Sequence, residues 1–228
     1  MNTETAPEAP GASPLCPSRD CPRCPRLVAF RARHRASHPG WHNAPVPSFG
    51  PASARLLIVG LAPGLKGANR TGRPFTGDYA GDLLYPTLVK FGFAAGRYGA
   101  RPDDGLSLVD CRITNSVRCV PPENKPDGAE IVACRAFLTA EIAAMTALRI
   151  VLALGATAHG STLATLGETR ARFPFAHGAV HRLGSGLLLA DSYHCSRYNT
   201  NTGKLTVPMF ESVFAALRQC LDAPAQFA

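Results

Sequence analysis

Eight cysteines in 228 residues make metal binding the first chemistry to consider. Cys21-Pro-Arg-Cys24 is a C-x-x-C pair, and Cys119 and Cys134 form a second, wider pair. A C-x-x-C loop offers two thiolates to one metal centre, and the wide pair closes the coordination from across the fold. Two compact pairs would suggest zinc; one compact and one wide pair is less typical of it. Cys16 is close enough in sequence to substitute as a ligand. Cys111 and Cys220 read as buried free thiols acting as small hydrophobes.

Two polar loops hold the other reactive side chains. The first runs through Gly60-Leu-Ala-Pro-Gly64 to Asn69-Arg-Thr-Gly-Arg-Pro-Phe-Thr-Gly-Asp78. Its glycines let backbone approach a ligand closely. No G-K-[ST] closes it, so it is not a Walker loop, and it is not a dinucleotide fingerprint. Arg70 and Arg73 suit phosphate contacts. Phe75 suits stacking on a base or core packing. Asp78 suits orienting a water or capping a helix. The second loop is Ser192-Tyr-His-Cys-Ser-Arg-Tyr-Asn-Thr-Asn-Thr-Gly-Lys204. His194 is placed there for a polarising hydrogen bond, or as a satisfied structural histidine. Arg197 and Lys204 suit phosphates or plain solvation. His159 and His181 read as bystanders.

The elements that must position these residues are legible as alternating strands and helices. Residues 55–60 and 149–154 are continuous apolar runs, predicting buried parallel strands, with further strands at 106–117 and 186–192. Helices are predicted over 26–38, 81–91, 126–148 and 206–221, with Pro126 tolerated in a first turn. A Pro/Gly-rich link, 39–51, joins the first helix to the first strand, and no internal repeat is seen. The pattern predicts an α/β fold of three layers, α/β/α, around a mostly parallel four-stranded sheet. Sites in such sheets gather at the carboxyl ends of strands, here residues 61–81, 115–122 and 194–206.

Composition narrows the class. Residues 1–15 read as a disordered tail and 16–228 as one domain. The tail has no basic start followed by an apolar core, and no stretch is long and apolar enough to span a bilayer. A reducing, cytoplasmic location is expected, which argues against a disulfide framework. The net charge of +8, from 24 Lys+Arg against 16 Asp+Glu, favours a polyanionic partner.

Four segments in order resemble the uracil-DNA glycosylase superfamily, most closely family 5 (type B), with family 4 next. They are the two loops just described, Thr114-Asn-Ser-Val-Arg-Cys119-Val-Pro-Pro122, and the spacing from Cys119 to Cys134. The resemblance implies a [4Fe-4S] cluster on Cys21, Cys24, Cys119 and Cys134. It implies a substrate site at Gly60, Ala62, Gly64, Phe75, Asn115 and His194, with Phe75 stacked on a flipped uracil and His194 bonded to its carbonyl oxygen. Relatives often carry Asp or Asn inside the first short motif; that stretch is apolar here, and Asp78 is the carboxylate offered instead. The implied activity is hydrolysis of the N-glycosidic bond of uracil, and of hypoxanthine and other deaminated bases, in DNA. Asp78, His194 and Asn115 would be the catalytic residues. Arg70, Arg73, Arg197 and Lys204 would meet phosphates, and Arg197 or Tyr198 would wedge into the gap. The implied state is a monomer acting on DNA in the cytoplasm, nucleoid-associated in a prokaryote. Cys195 replaces the usual Pro in a loop expected to approach DNA, where it could be a reactive thiol; Gly64 is a smaller change. Two other readings stay open: a catalytically weak nucleic-acid-binding module with a structural metal, and a cysteine-zinc hydrolase or redox protein.

Overall fold

The structure, a computed structural model, describes residues 15–223; the expected tail, apart from Leu15, lies outside them. In chain order the elements are α1 (Pro25–Ser37), β1 (Leu56–Gly60), the one-turn α2 (Ala68–Thr71), α3 (Tyr79–Lys90), β2 (Ala94–Ala95), β3 (Ser107–Leu108), β4 (Cys111–Asn115), α4 (Gly128–Ala144), β5 (Ile150–Leu154), α5 (Ala156–Thr165), β6 (Val180–Arg182), β7 (Leu188–Ser192), α6 (Arg197–Asn201) and α7 (Val207–Asp222).

The main sheet has the order β4-β1-β5-β7-β6. The first four strands pair in parallel and β6 runs antiparallel to β7. β1 and β5 are buried at every position, as strands covered on both faces must be. Alternating side chains serve the two faces. Leu56, Ile58, Ile150 and Leu152 meet α3 and α7, through Leu84, Leu88, Phe210 and Phe214. Leu57, Val59, Val151 and Ala153 meet Leu138 of α4 and Ala158 and Leu163 of α5. From β1 the chain moves outward to β4, then returns across β1 to β5, so strand order reverses beside β1. Loops leaving adjacent strands part there and open a crevice at their carboxyl ends.

The sheet thus has five strands where four were expected. The added β6 is three residues, Val-His-Arg, half-buried or exposed throughout, and carries no apolar alternation to mark it. The single strand expected over 106–117 is two: β3 pairs with β2, and Asp110, at φ +52°, breaks the run before β4. That backbone turn is held because the Asp110 carboxylate accepts from the Arg55 amide (2.8 Å) and Nε (2.7 Å). α4 starts two residues later than expected, at a capping box of Asp127 and Glu130. Among the described residues no helix is long and apolar enough to cross a membrane.

Candidate active site and cysteine pocket

A cleft of about 730 Å³ opens at the carboxyl ends of the strands. It gathers residues from the β1 loop, the end of β4 and the β7 loop, among them Ala62, Phe75, Asp78, Asn115 and His194. The rings of Phe75 and His194 face each other across it, centroids 5.8 Å apart and 29° from parallel. Gly60 leaves the space for this: a Cβ there would strike both the Asn115 Oδ1 and the Phe75 ring. Gly64 and Gly67 likewise leave room for the Asp78 carboxylate.

Each polar group in the cleft carries a distinct electrostatic character. Asn115 ends β4, is 3% exposed, and its Oδ1 has no hydrogen-bond partner. An orphaned buried acceptor costs about 1–3 kcal/mol, so this oxygen suits a ligand that brings an N–H. His194 is half-buried, and that burial pushes it down to about 4, leaving a neutral ring near pH 7. Its loop is tied back by Asn199 Nδ2 donating to the His194 carbonyl at 2.8 Å. Asp78 lines the cleft and also caps α3, accepting from the Gly81 amide at 3.4 Å. Burial raises its pKa, and the amides of Gly81 and Ala80 oppose that rise. The helix cap weighed from the sequence is thus present, and the same carboxylate also lines the cleft.

Phe75 sits at φ +52°, a left-handed conformation that costs about 1–2 kcal/mol for a residue with a Cβ. Its neighbours hold it there. Arg73 Nε donates to Thr76 Oγ1 (2.7 Å), and Tyr85 Oη donates to the Pro74 carbonyl (2.6 Å). Arg73 itself is 4% exposed and makes a two-pronged pair with Asp104, at 2.8 and 2.7 Å. The expected phosphate role of Arg73 is thereby corrected: its guanidinium is enclosed among Phe49, Tyr85 and Tyr98 and braces the Phe75 loop.

The other expected phosphate residues are exposed but differ in position. Arg197 lies at the cleft mouth, its guanidinium carbon 5.3 Å from the Tyr79 ring centre. Arg70 lies on a neighbouring depression with Trp41 and His42, outside the cleft. Lys204 sits over the Tyr193 ring at 4.8 Å, also outside it. Tyr198 is 74% exposed on the rim. Lys66, Tyr79 and Asn124 also line the cleft and were not singled out from the sequence; Lys66 carried the same basic-residue signal as Arg70. Cys195 faces the other way from what was expected. It is fully buried in the core, where burial pushes its thiol up, so it is neither at the DNA-facing surface nor a reactive thiol.

Cys21, Cys24, Cys119 and Cys134 line one pocket, with Leu27, Arg31, Val117 and Phe137 between them. Ala62 packs against this cluster and also lines the cleft, so the two sites share a wall. Cys16 does not line the pocket; its charged neighbours are Arg118, Glu141 and Arg112. Arg31 is 4% exposed and donates to Cys119 Sγ (3.5 Å) and the Cys21 carbonyl (3.0 Å), with no carboxylate in ion-pair reach among the described residues. The Arg118 amide donates to Cys134 Sγ at 3.3 Å. These donors suit thiolates rather than thiols, and a buried guanidinium needs the negative charge that thiolates bring. Four sulfurs on one zinc at about 2.3 Å would lie about 3.8 Å apart. Among the described residues no three cysteine sulfurs lie within 4.8 Å of one another. The donor set, four cysteines with a buried guanidinium and a backbone amide turned to their sulfurs, fits a thiolate-held metal group.

A family model, Uracil DNA glycosylase superfamily, matches residues 47–218. The type-5 uracil-DNA glycosylase of Thermus thermophilus is 45% identical, over 85% of this chain and 90% of that protein. That of Mycobacterium bovis is 42% identical, over 85% of this chain and 75% of its own length. A type-4 uracil-DNA glycosylase of Saccharolobus solfataricus is 30% identical, over 87% of this chain and 82% of that protein. With a family model over most of the sheet and two relatives above 40% identity across most of its length, this chain belongs to the uracil DNA glycosylase superfamily.

Proposed function

We propose that the protein removes uracil from DNA by hydrolysing the bond between the base and C1′ of deoxyribose. The observation that carries this reading is the arrangement of one cleft: a stacked Phe75–His194 pair, an orphaned Asn115 Oδ1 and a half-buried carboxylate, Asp78. A duplex hides the glycosidic bond, so the base is flipped out to enter the cleft. Phe75 offers its face to the ring. Asn115 Oδ1 accepts from an N–H of the base, which satisfies its buried acceptor.

As the C–N bond breaks, its electron pair leaves with the base and positive charge grows on the sugar. Neutral His194 donates a hydrogen bond to the uracil carbonyl oxygen as charge builds there, as an oxyanion hole does. The Asp78 carboxylate stabilises the sugar cation and positions the water whose oxygen joins C1′. The water gives up one proton to solvent, the departing uracil anion takes one up from solvent, and uracil and an abasic site leave. Arg197 and the exposed Lys66 meet phosphates at the mouth, Arg70 and Lys204 meet flanking ones, and Tyr198 fills the gap in the stack. The first motif, Gly60-Leu-Ala-Pro-Gly64, is apolar, and this supports hypoxanthine and other deaminated bases as further substrates. The protein acts as a monomer in the cytoplasm, associated with the nucleoid in a prokaryote.

Cys21, Cys24, Cys119 and Cys134 would hold a [4Fe-4S] cluster, with Arg31 and the Arg118 amide as hydrogen-bond donors to its sulfurs. Bound there, the group supplies a crosslink between the chain before α1, the loop after β4 and α4, rather than redox chemistry.

The test is an oligonucleotide panel bearing uracil, hypoxanthine or a mismatched thymine, incubated with protein purified without oxygen and then treated with alkali. Strand breaks at uracil are expected, from a brown protein with about four irons per chain. No breaks at any lesion would favour a binding module, and a colourless protein with stoichiometric zinc would refute the cluster.

A further inference from the structure

Outside the cleft, α5, β6 and β7 bring His159, His181 and Asp191 together. One ligand atom from each lies within 4.8 Å of the others, and this is the one such group of three among the described residues. His159 is 2% exposed and Asp191 fully buried; the His181 side chain is 15% exposed. No arginine or lysine pairs with the Asp191 carboxylate among the described residues; its charged neighbours are the two imidazoles. The Ala176 amide also faces this carboxylate, and the Phe175 ring stands edge-on to His159.

The hydrogen bonds within the cluster leave lone pairs unmatched. His159 Nε2 lies 2.9 Å from the Phe173 carbonyl, which can only accept, so Nε2 carries the hydrogen. In a neutral ring Nδ1 then presents a lone pair to Asp191 Oδ1, 2.8 Å away, acceptor against acceptor. A hydrogen or a cation belongs between them. A proton on Nδ1 would satisfy that one contact. It would leave Asp191 Oδ2 and His181 Nε2, 3.4 Å apart, both buried and both without a hydrogen-bond partner. A cation reached by all three side chains answers every one of these groups at once.

We infer that His159, His181 and Asp191 form a second metal site, for a divalent ion of the zinc class. Two imidazoles and one carboxylate are the ligand types such ions favour. The edge of a zinc tetrahedron with bonds of about 2.0–2.1 Å is about 3.4 Å, the spacing of His181 Nε2 and Asp191 Oδ2. The His159 Nε2–Phe173 carbonyl bond is the outer contact that fixes a ligating imidazole with its other nitrogen free for metal. The side of His181 left exposed is the entry path, and solvent supplies the fourth ligand. The ion fastens α5 and β6 to β7, the strand that delivers His194 to the cleft three residues after Asp191.

The test uses the full chain with its cysteine site intact, handled without oxygen, stripped of loose metal by a weak chelator, supplied with zinc chloride and desalted. One zinc per chain is expected to remain in addition to the iron. Its X-ray absorption should give nitrogen and oxygen neighbours at about 2.0–2.1 Å with imidazole outer scattering and no sulfur. Asp191→Asn, which keeps the side-chain shape, and His181→Ala, at the partly exposed position, should each lose that zinc while keeping iron content and circular dichroism. If one variant fails to fold, the other decides. No retained zinc in the wild type, a sulfur shell at about 2.3 Å, or equal zinc in wild type and a folded variant would overturn the site.

Discussion

Replacing Asp104 by Asn tests whether a buried ion pair holds the Phe75 loop. The Arg73 and Asp104 side chains are 5% and 3% exposed. The carboxylate accepts two guanidinium bonds, at 2.8 and 2.7 Å, and two backbone amides, Gly99 (2.9 Å) and Leu106 (3.1 Å). The Arg73 guanidinium holds the carboxyl far below the usual carboxylate range. Asparagine has one acceptor oxygen and would turn its NH₂ toward donors, leaving Arg73 a buried charge without a counter-charge. Removing one partner of such a pair costs about 3–5 kcal/mol. With a urea slope of about 3 kcal/mol per molar at this size, the midpoint should fall by about 1–2 M. Asp103 supplies the internal control: its pair with Arg101 spans 3.7 Å and is 71% and 79% exposed, so Asp103→Asn should leave the midpoint where it was. Circular dichroism in urea reads both variants, and single-turnover excision should fall for Asp104→Asn alone, because Arg73 steadies Thr76 beside Phe75. A midpoint for Asp104→Asn within about 0.3 M of wild type would refute the reasoning. The same pair predicts acid sensitivity. Asp104 titrates lower when folded, so its contribution is whole above about pH 4 and is lost as pH falls below that.

Four further outcomes are expected. Asp78→Asn keeps an N-cap, since Asn caps as well as Asp, so it should preserve stability while lowering single-turnover excision; His194→Ala should lower it by about 10²–10³-fold. Near-normal rates in both would remove these residues from the mechanism. His194, held at about 4, stays neutral well below the ordinary histidine range, so no fall in excision between pH 7.5 and about 5.5 should trace to it, while the raised Asp78 carboxyl sets the acid limb. An acid limb centred near 6.5 that vanishes in His194→Ala would contradict this. Cys195, enclosed in the core, should resist alkylation in the native protein and react only on unfolding. Labelling of native protein at Cys195 would show the loop to be open.

Much of this protein was legible in the order of its residues, for a local reason. Apolar runs such as Leu56–Gly60 and Ile150–Leu154 declare strands buried on both faces, and the polar loops after them had to fall at one rim of a parallel sheet. Phe75, Asp78, Asn115 and His194 therefore meet in one cleft although they span the two halves of the chain. Sequence spacing likewise marked four cysteines, and the fold brings them around one pocket. Partner choice was not legible, because it depends on contacts far apart along the chain. Arg70 and Arg73 look alike in sequence; only the approach of Asp104 buries one and leaves the other in solvent. Cys195 sits in a polar loop by sequence but turns inward beneath it. His159 and His181 had no pattern to mark them. His181 acquires Asp191 as a neighbour because a three-residue strand with no periodicity pairs to β7, and His159 reaches the same carboxylate from α5. Periodicity records which face a residue presents, while tertiary packing alone decides which charge it meets there.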